Sequence, residues 1–403
     1  MSKPYLDSAN LLATVKRNIS FPVSQNSFSD EDILSFANQE MFGVQVPTIM
    51  EVHEDYFTFS EDVPLKANKS RYDIPYRAIG LKLNDVYIVD SQKNIRDLSL
   101  IQNTDRAFFD TISDNTSTPY HYYIEANQIC LTPQIGIGVA DGTSLRFVYY
   151  LRPNNLVLNE RAAICQNFTR DVTISNTSMV AGDKITIGAT EFVAGTDFAI
   201  GATDLATATN INSAINTQGT YFSTITSNIV IIRYDSLDIS VTSSNPIAIS
   251  VENRQGIEFD QVPANITNGS LIDFLKVKGG HRSYKIDQKL GKNVVSQTII
   301  KFAIGDIPEE FEPGDYICSQ FECIIPQIPS DLHNILAERT AARILEAIGD
   351  TVGLQAANAK IGQLEARQGT LIDSRVDGSP RKVFNRSSLL RYGKGFGYNK
   401  TKM

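Results

Sequence analysis

Histidine is scarce in this chain. Its 403 residues hold four, His53, His121, His281 and His333, and no two of them stand at a zinc-ligand spacing. H-E-x-x-H and the G-x-S-x-G nucleophile elbow are both absent. His333 falls one turn into an apolar helical pattern, where packing is the expected role. His53, Glu54 and Asp55 close an amphipathic segment and read as a solvated helix end. The glycine clusters fail as phosphate cradles. Gly136–Gly142 misses the dinucleotide spacing and lies between two strands. The run from Gly393 to Gly397 lacks the G-K-[ST] ending and a following helix. Asp197 and Asp204 lack the dense carboxylate spacing that calcium needs. No catalytic residue, metal or cofactor is therefore expected, and the chain does not read as an enzyme.

Long apolar runs are missing too. No run reaches the 18 or so residues of a membrane span, and the first residues carry no apolar signal core, so synthesis in the cytoplasm is expected. The four cysteines are Cys130, Cys165, Cys318 and Cys323. Only the last two are close, on what read as two strands of one hairpin, and free thiols are expected in a reducing compartment.

Charge is present but unevenly spread. From Ser379 to Met403 there are seven basic residues and no acidic one. Removing those seven from the 37 in the chain leaves 30 bases against 45 acids, so residues 1–378 carry a net −15. A basic arm on an acidic body points to docking on something negative, be it nucleic acid, a partner protein or a neighbouring copy. Within the arm Arg381, Lys382, Arg386 and Arg391 interleave with Phe384, Leu389, Leu390, Tyr392, Phe396 and Tyr398. Such a mixture suits single-stranded nucleic acid or an extended arm whose aromatics fill a partner's pockets.

Taken in order, the chain begins with helices over 1–55. Leu6, Leu11, Leu12 and Val15 mark the first, and a capping-box pattern at Ser29–Asp32 opens the second. A short third helix is expected from Pro47 to about Glu54. Residues 56–165 change to alternating strand patterns, expected to form an antiparallel barrel or sandwich. Residues 166–255 are poor in charge and rich in Ser, Thr, Asn, Ala and Gly, and read as an inserted β-rich module with one helix over Leu205–Asn216. Strands resume over 256–328, with a short helix expected at Ser270–Val277. Two helices follow over 329–376. In the first, Ser330 is the expected cap and Leu332, Ile335, Leu336, Ala341, Ala342, Ile344, Leu345 and Ile348 form a wide apolar face. In the second, after the stop at Gly349, Leu354, Ala357, Ile361, Leu364 and Leu371 step by three and four as a narrow seam, the kind two helices use to pack on each other within a chain or on a neighbouring subunit, and so a candidate contact between subunits. Residues 377–403 are the extended arm. The fold class is α+β, with terminal helices closing into a bundle and the β-domain projecting from it.

Several stretches carry a resemblance. LLATVKR (11–17) with SFSDEDILSFANQE (27–40), YDIPYRAIGLKL (72–83), LRFVYYLRPNNL (145–156), IPSDLHNILAERTAAR (328–343), LEAIGD (345–350) and SRVDGSP (374–380) are similar to head-to-tail connector proteins of tailed bacteriophages, the tail-tubular-protein-A-like adaptors. The module at 166–255 departs from that pattern and resembles small β-modules of other virion proteins. The resemblance implies a virion protein at the head–tail junction: a homo-oligomeric ring, typically of twelve copies, beneath the portal. Its partners would be its own copies, the portal protein, a downstream tail or nozzle protein, and genomic DNA passing through the lumen without sequence readout, with no membrane involved. The arm would reach the portal. An acidic body suits a channel that does not hold DNA. A different class of function also fits the residues: a tail accessory protein that binds a host receptor or glycan through the 166–255 module. A virion hydrolase is disfavoured for want of a nucleophile–base pair.

Overall fold

The computed structural model describes residues 5–19, 28–102, 119–132, 141–278, 282–291 and 297–372. The fold is α+β, built from several largely antiparallel sheets and six helices among the described residues.

Helix α1 spans Ser8–Asn18, with Asp7 as its cap accepting from the Asn10 N–H. Helix α2 spans Asp30–Glu40 and opens on the capping box foreseen in the sequence. The Ser29 hydroxyl accepts from the Asp32 N–H at 3.1 Å, and the Asp32 carboxylate accepts from the Ser29 N–H at 2.9 Å. The chain does not break after α2. A π-helical stretch over Met41–Gln45 carries it into α3, Val46–Val52. Pro47 lacks the N–H that would bond to the Gly43 carbonyl, and a widened turn is one way to absorb that loss.

Residues 58–151 build two four-stranded sheets. In one, Ser144–Leu151 lies between Thr58–Pro64 and Ala78–Val89, and Ile95–Asp97 forms the far edge. In the other, Gln128–Thr132 and His121–Glu125 are central, flanked by Arg71–Asp73 and Ser99–Leu100. Tyr72, Ile88, Tyr122, Ile129 and Phe147 from both sheets meet in one apolar cluster. No barrel closes among the described residues. The edge strand Ile95–Asp97 is three residues long and exposed throughout, and no strand among the described residues pairs with its outer side.

Beyond residue 151 the largest element is a nine-stranded sheet organised by Ala162–Ile174, accompanied by a three-stranded sheet of Lys184–Ile187, Thr190–Val193 and Val241–Ser243 and by a short parallel pair, Asn155–Leu156 with Glu322–Cys323. The far half of this strand pairs with Ile229–Tyr234, Ile249–Val251 and Arg254–Phe259, and its near end with Tyr316–Ser319. The boundaries expected at 166 and 255 thus fall inside Ala162–Ile174 and Arg254–Phe259. Phe168, Val172, Ile211 and Ile232 share their core with Phe274, Phe302 and Phe311. The inserted segment therefore has no separate core, because its strands hang on one that begins before it. Its helix, α4 at Asp204–Gln218, buries Ala208, Ile211 and Ile215 against this sheet and stops at Gly219. Gly256 faces Thr169 across the ladder, and a Cβ there would sit 2.1 Å from the Thr169 hydroxyl. The helix expected over Ser270–Val277 is instead the strand Leu271–Leu275, hydrogen-bonded on both sides. Five residues are too few for helical periodicity to show, and four of them are buried.

Helix α5 is His333–Ile348 and α6 is Thr351–Ile372. Ser330 does not cap α5 with its side chain: a 3-10 turn at Ser330–Leu332 leads into the helix instead. Gly349 ends it in the left-handed region, its N–H and that of Asp350 both bonded to the Leu345 carbonyl. Asp350 then caps α6 through the Gly353 N–H at 2.9 Å. Leu11, Leu12 and Val15 of α1, Ile33, Leu34 and Ala37 of α2, and Ile335, Leu336 and Ile344 of α5 lie in one buried cluster with Tyr316 and Cys318 of the large sheet.

Candidate assembly interface

The residues singled out for assembly fall into two groups. Arg381, Lys382, Phe384, Arg386, Leu389, Leu390, Arg391, Tyr392, Phe396 and Tyr398 lie outside the described residues. The seam on α6 lies within them, and it turns inward. Ile361 is buried, Leu364 packs on the cluster shared by α1, α2 and α5, and Leu354 and Ala357 are half-buried. The seam is thus occupied by α5 of the same chain; the side chain of Leu371 is outside the described set. What α6 leaves exposed is another face, with Val352 at 77% exposure and Ala356 and Ala359 beside it.

Charged pairs fasten these helices together. Glu40 at the end of α2 is buried and accepts from Arg339 at 3.4 Å and Arg343 at 2.9 Å, both on α5. Arg339 also pairs with Glu365 on α6. Glu338, buried on α5, pairs with Lys360 of α6 and accepts from the Asn18 amide of α1 at 2.8 Å. The contacts of α5 with Glu40 of α2 and Asn18 of α1 were not legible in the sequence, because they join residues 299 and 320 positions apart.

His333 ties the N-terminal segment to α5. It is fully buried, its Nδ1 accepts from the Leu6 N–H at 3.1 Å, and its Nε2 lies 3.2 Å from the Ile328 carbonyl. That geometry selects the neutral Nε2–H tautomer, which donates to Ile328. Burial lowers its pKa to about 4, against the ordinary 6.5, despite the Ile328 and Pro326 carbonyls working the other way.

A second cluster joins residues 58–151 to the large sheet. Arg77 follows Pro75 and Tyr76 in the turn before Ala78–Val89 and is 1% exposed. Its Nη2 donates to both Asp273 oxygens at 2.9 and 2.8 Å and to Asp287 at 2.6 Å, and its Nη1 donates to the Asn154 amide oxygen at 3.0 Å. Asn154 returns a bond to Asp273 at 2.8 Å, and its N–H donates to Gln327 at 2.7 Å. The guanidinium lies 4.2 Å from the ring centroid of Phe321, which holds a positive φ of 65°. A bulky residue there costs on the order of 1–2 kcal/mol, which the cation–π contact helps offset. Burial raises the pKa of Asp273, with Arg77 opposing it. On Arg77 burial opposes the charge, but the Asp273 and Asp287 carboxylates outweigh it and the pKa rises. The sequence reading missed this cluster. The one available signal was a lone aspartate inside the apolar run Leu271–Leu275.

Little in the described residues resembles a reaction centre. No three His, Cys, Asp or Glu side chains among them could hold a metal ion. The four thiols are free and buried, and burial raises the pKa of Cys165, Cys318 and Cys323. A polar groove in the 166–255 region is lined by Glu191, Thr196, Asp197, Asn210, Ser213 and Thr217. Phe192 and Phe198 beneath it are buried, so they offer a sugar no aromatic platform. No protein-family model matches this sequence, and no curated protein matches it either.

Proposed function

We propose that the chain is a head-to-tail adaptor of a tailed bacteriophage, a structural ring protein that docks under the portal and joins capsid to tail while DNA passes through. One observation carries this reading: a body of net −15 followed by an arm of seven bases and six large apolar residues, emerging directly after α6. In the adaptor, α1, α2, α5 and α6 act as one bundle whose cohesion comes from the shared apolar cluster and the Glu40 and Glu338 ion pairs. Neighbouring copies contact the exposed side of α6 rather than its seam. The large sheet and the segment hung on it face the next tail component, and the arm docks on the portal.

Removal of residues 379–403 is the test. With the arm gone, affinity for the cognate portal ring should fall at least about tenfold in co-sedimentation, which corresponds to about 1.4 kcal/mol. The effect should weaken with salt, since charge contributes to it. Unchanged portal binding by the shortened chain would remove the arm from the mechanism. The receptor- or glycan-binding alternative rests on the low charge and polar surface of the 166–255 module, and the burial of Phe192 and Phe198 in its polar groove counts against that use.

A further inference from the structure

One groove lies beside the α1 N-terminus. It holds about 260 Å³ between the N-terminal segment and the large sheet, and its walls are mostly apolar: Ile164, Val277, Pro313, Tyr316, Ile324 and Ile325. The outer wall, Tyr5 and Asp7, is fixed by Ser8, whose N–H and hydroxyl both donate to the Ile324 carbonyl at 2.7 and 3.0 Å. The opposite side is held by Asp315, which accepts from the Val277 N–H, the Tyr284 hydroxyl and the Glu312 N–H.

Two buried polar atoms on this groove have no hydrogen-bond partner, the Tyr316 hydroxyl and the Asn159 amide oxygen. Tyr316 lies near the Ile324 and Ile325 backbone without making a bond of proper geometry. A buried orphan costs roughly 1–3 kcal/mol, so a free donor and a free acceptor in one apolar cleft mark a place where a peptide backbone would be paired. The charge around it is negative. The loop entering Pro313 carries Glu309, Glu310 and Glu312, and the lysines on this side, Lys276 and Lys278, are each already paired, with Glu310 and Glu312. Asp7 and Glu160 add to that excess.

From this we infer that the groove binds the chain's own C-terminal arm, with an aromatic of residues 379–403 in the apolar cleft, its backbone paired with Tyr316 and Asn159, and its flanking bases on the acidic rim. Phe384 is the best match, because Arg381, Lys382 and Arg386 flank it within three residues. The partner is chosen by complementarity: the arm is the segment of the chain that combines large apolar side chains with unbalanced positive charge. This docking does not depend on the portal reading. If both hold, the groove keeps the arm in the free chain and the portal takes it from there.

Photo-crosslinking of the full chain, without portal, tests it. With Phe384→p-benzoylphenylalanine, irradiation should join the arm to peptides containing Tyr5, Asn159, Val277 or Ile325. Adding Val277→Lys, which puts positive charge in the cleft, should lower that yield at least about tenfold while the melting curve is kept. If that variant melts early, Asn159→Leu at the rim takes its place. Adducts scattered elsewhere, no adduct, or a yield indifferent to a folded groove variant would each overturn the inference. Portal binding is read separately by co-sedimentation, so failure of one is distinguishable from failure of the other.

Discussion

Arg77→Ala should cost about 3–5 kcal/mol of unfolding free energy, the loss typical of breaking a buried ion pair from one side. The arginine satisfies Asp273 through two bonds at 2.8–2.9 Å in a site where Asp273 is 0% exposed. Without it the carboxylate keeps only the Asn154 amide and the Asp287 N–H as donors. The loss should be larger at pH 8 than at pH 5. Burial raises the pKa of Asp273 and Arg77 opposes that rise, so in the variant the carboxyl takes up a proton more readily as pH falls, which relieves the unpaired charge. Asp273→Asn added to Arg77→Ala should recover part of the stability for the same reason. Urea unfolding at the two pH values reads both effects. Equal stability of Arg77→Ala and the parent at pH 8 would mean that the cluster does not hold residues 58–151 to the large sheet.

His333 should set an acid limit on the helical end. Its folded pKa of about 4 lies below the ordinary 6.5, so the unfolded chain binds the proton more readily. The contribution is complete above pH 6.5, is lost as pH falls through that value, and levels off near pH 4. The difference is worth about 3 kcal/mol. Protonation would also end acceptance by Nδ1 from the Leu6 N–H, so the N-terminal segment should loosen first. His333→Phe should be less stable at neutral pH but show a flatter stability profile between pH 6.5 and 4. Hydrogen exchange of the Leu6 and Ser8 amides gives the local readout. An unchanged slope in the variant would contradict the assignment.

Local chemistry was legible in the sequence. Ser29 and Asp32 cap α2, Gly349 stops α5, and the apolar face expected there is buried from Leu332 to Leu345, though Ile348 at its end is exposed; each of these depends on residues within a turn or two. One five-residue segment was not. Leu271–Leu275 reads equally as a strand or a buried helical turn, and only its two neighbours in the sheet decide. The seam of Leu354, Ala357, Ile361 and Leu364 was visible as a seam, but periodicity says that a face is covered, not by what, and α5 of the same chain covers it. The Arg77 cluster was the largest omission. Arg77, Asn154, Asp273 and Asp287 are separated by up to 210 positions, and no local pattern reports a meeting at that range. The ends of the 166–255 segment fall inside strands for a related reason: composition changes near residue 166, while the strand that carries the segment starts at Ala162.

The most direct test of the adaptor reading is negative-stain imaging of the purified full-length chain, alone and mixed with its cognate portal ring. The expected result is a ring of this protein stacked coaxially on the portal, with the basic arm required for the stack. Portal rings left bare, with this chain seen only as separate monomers or trimers, would contradict it.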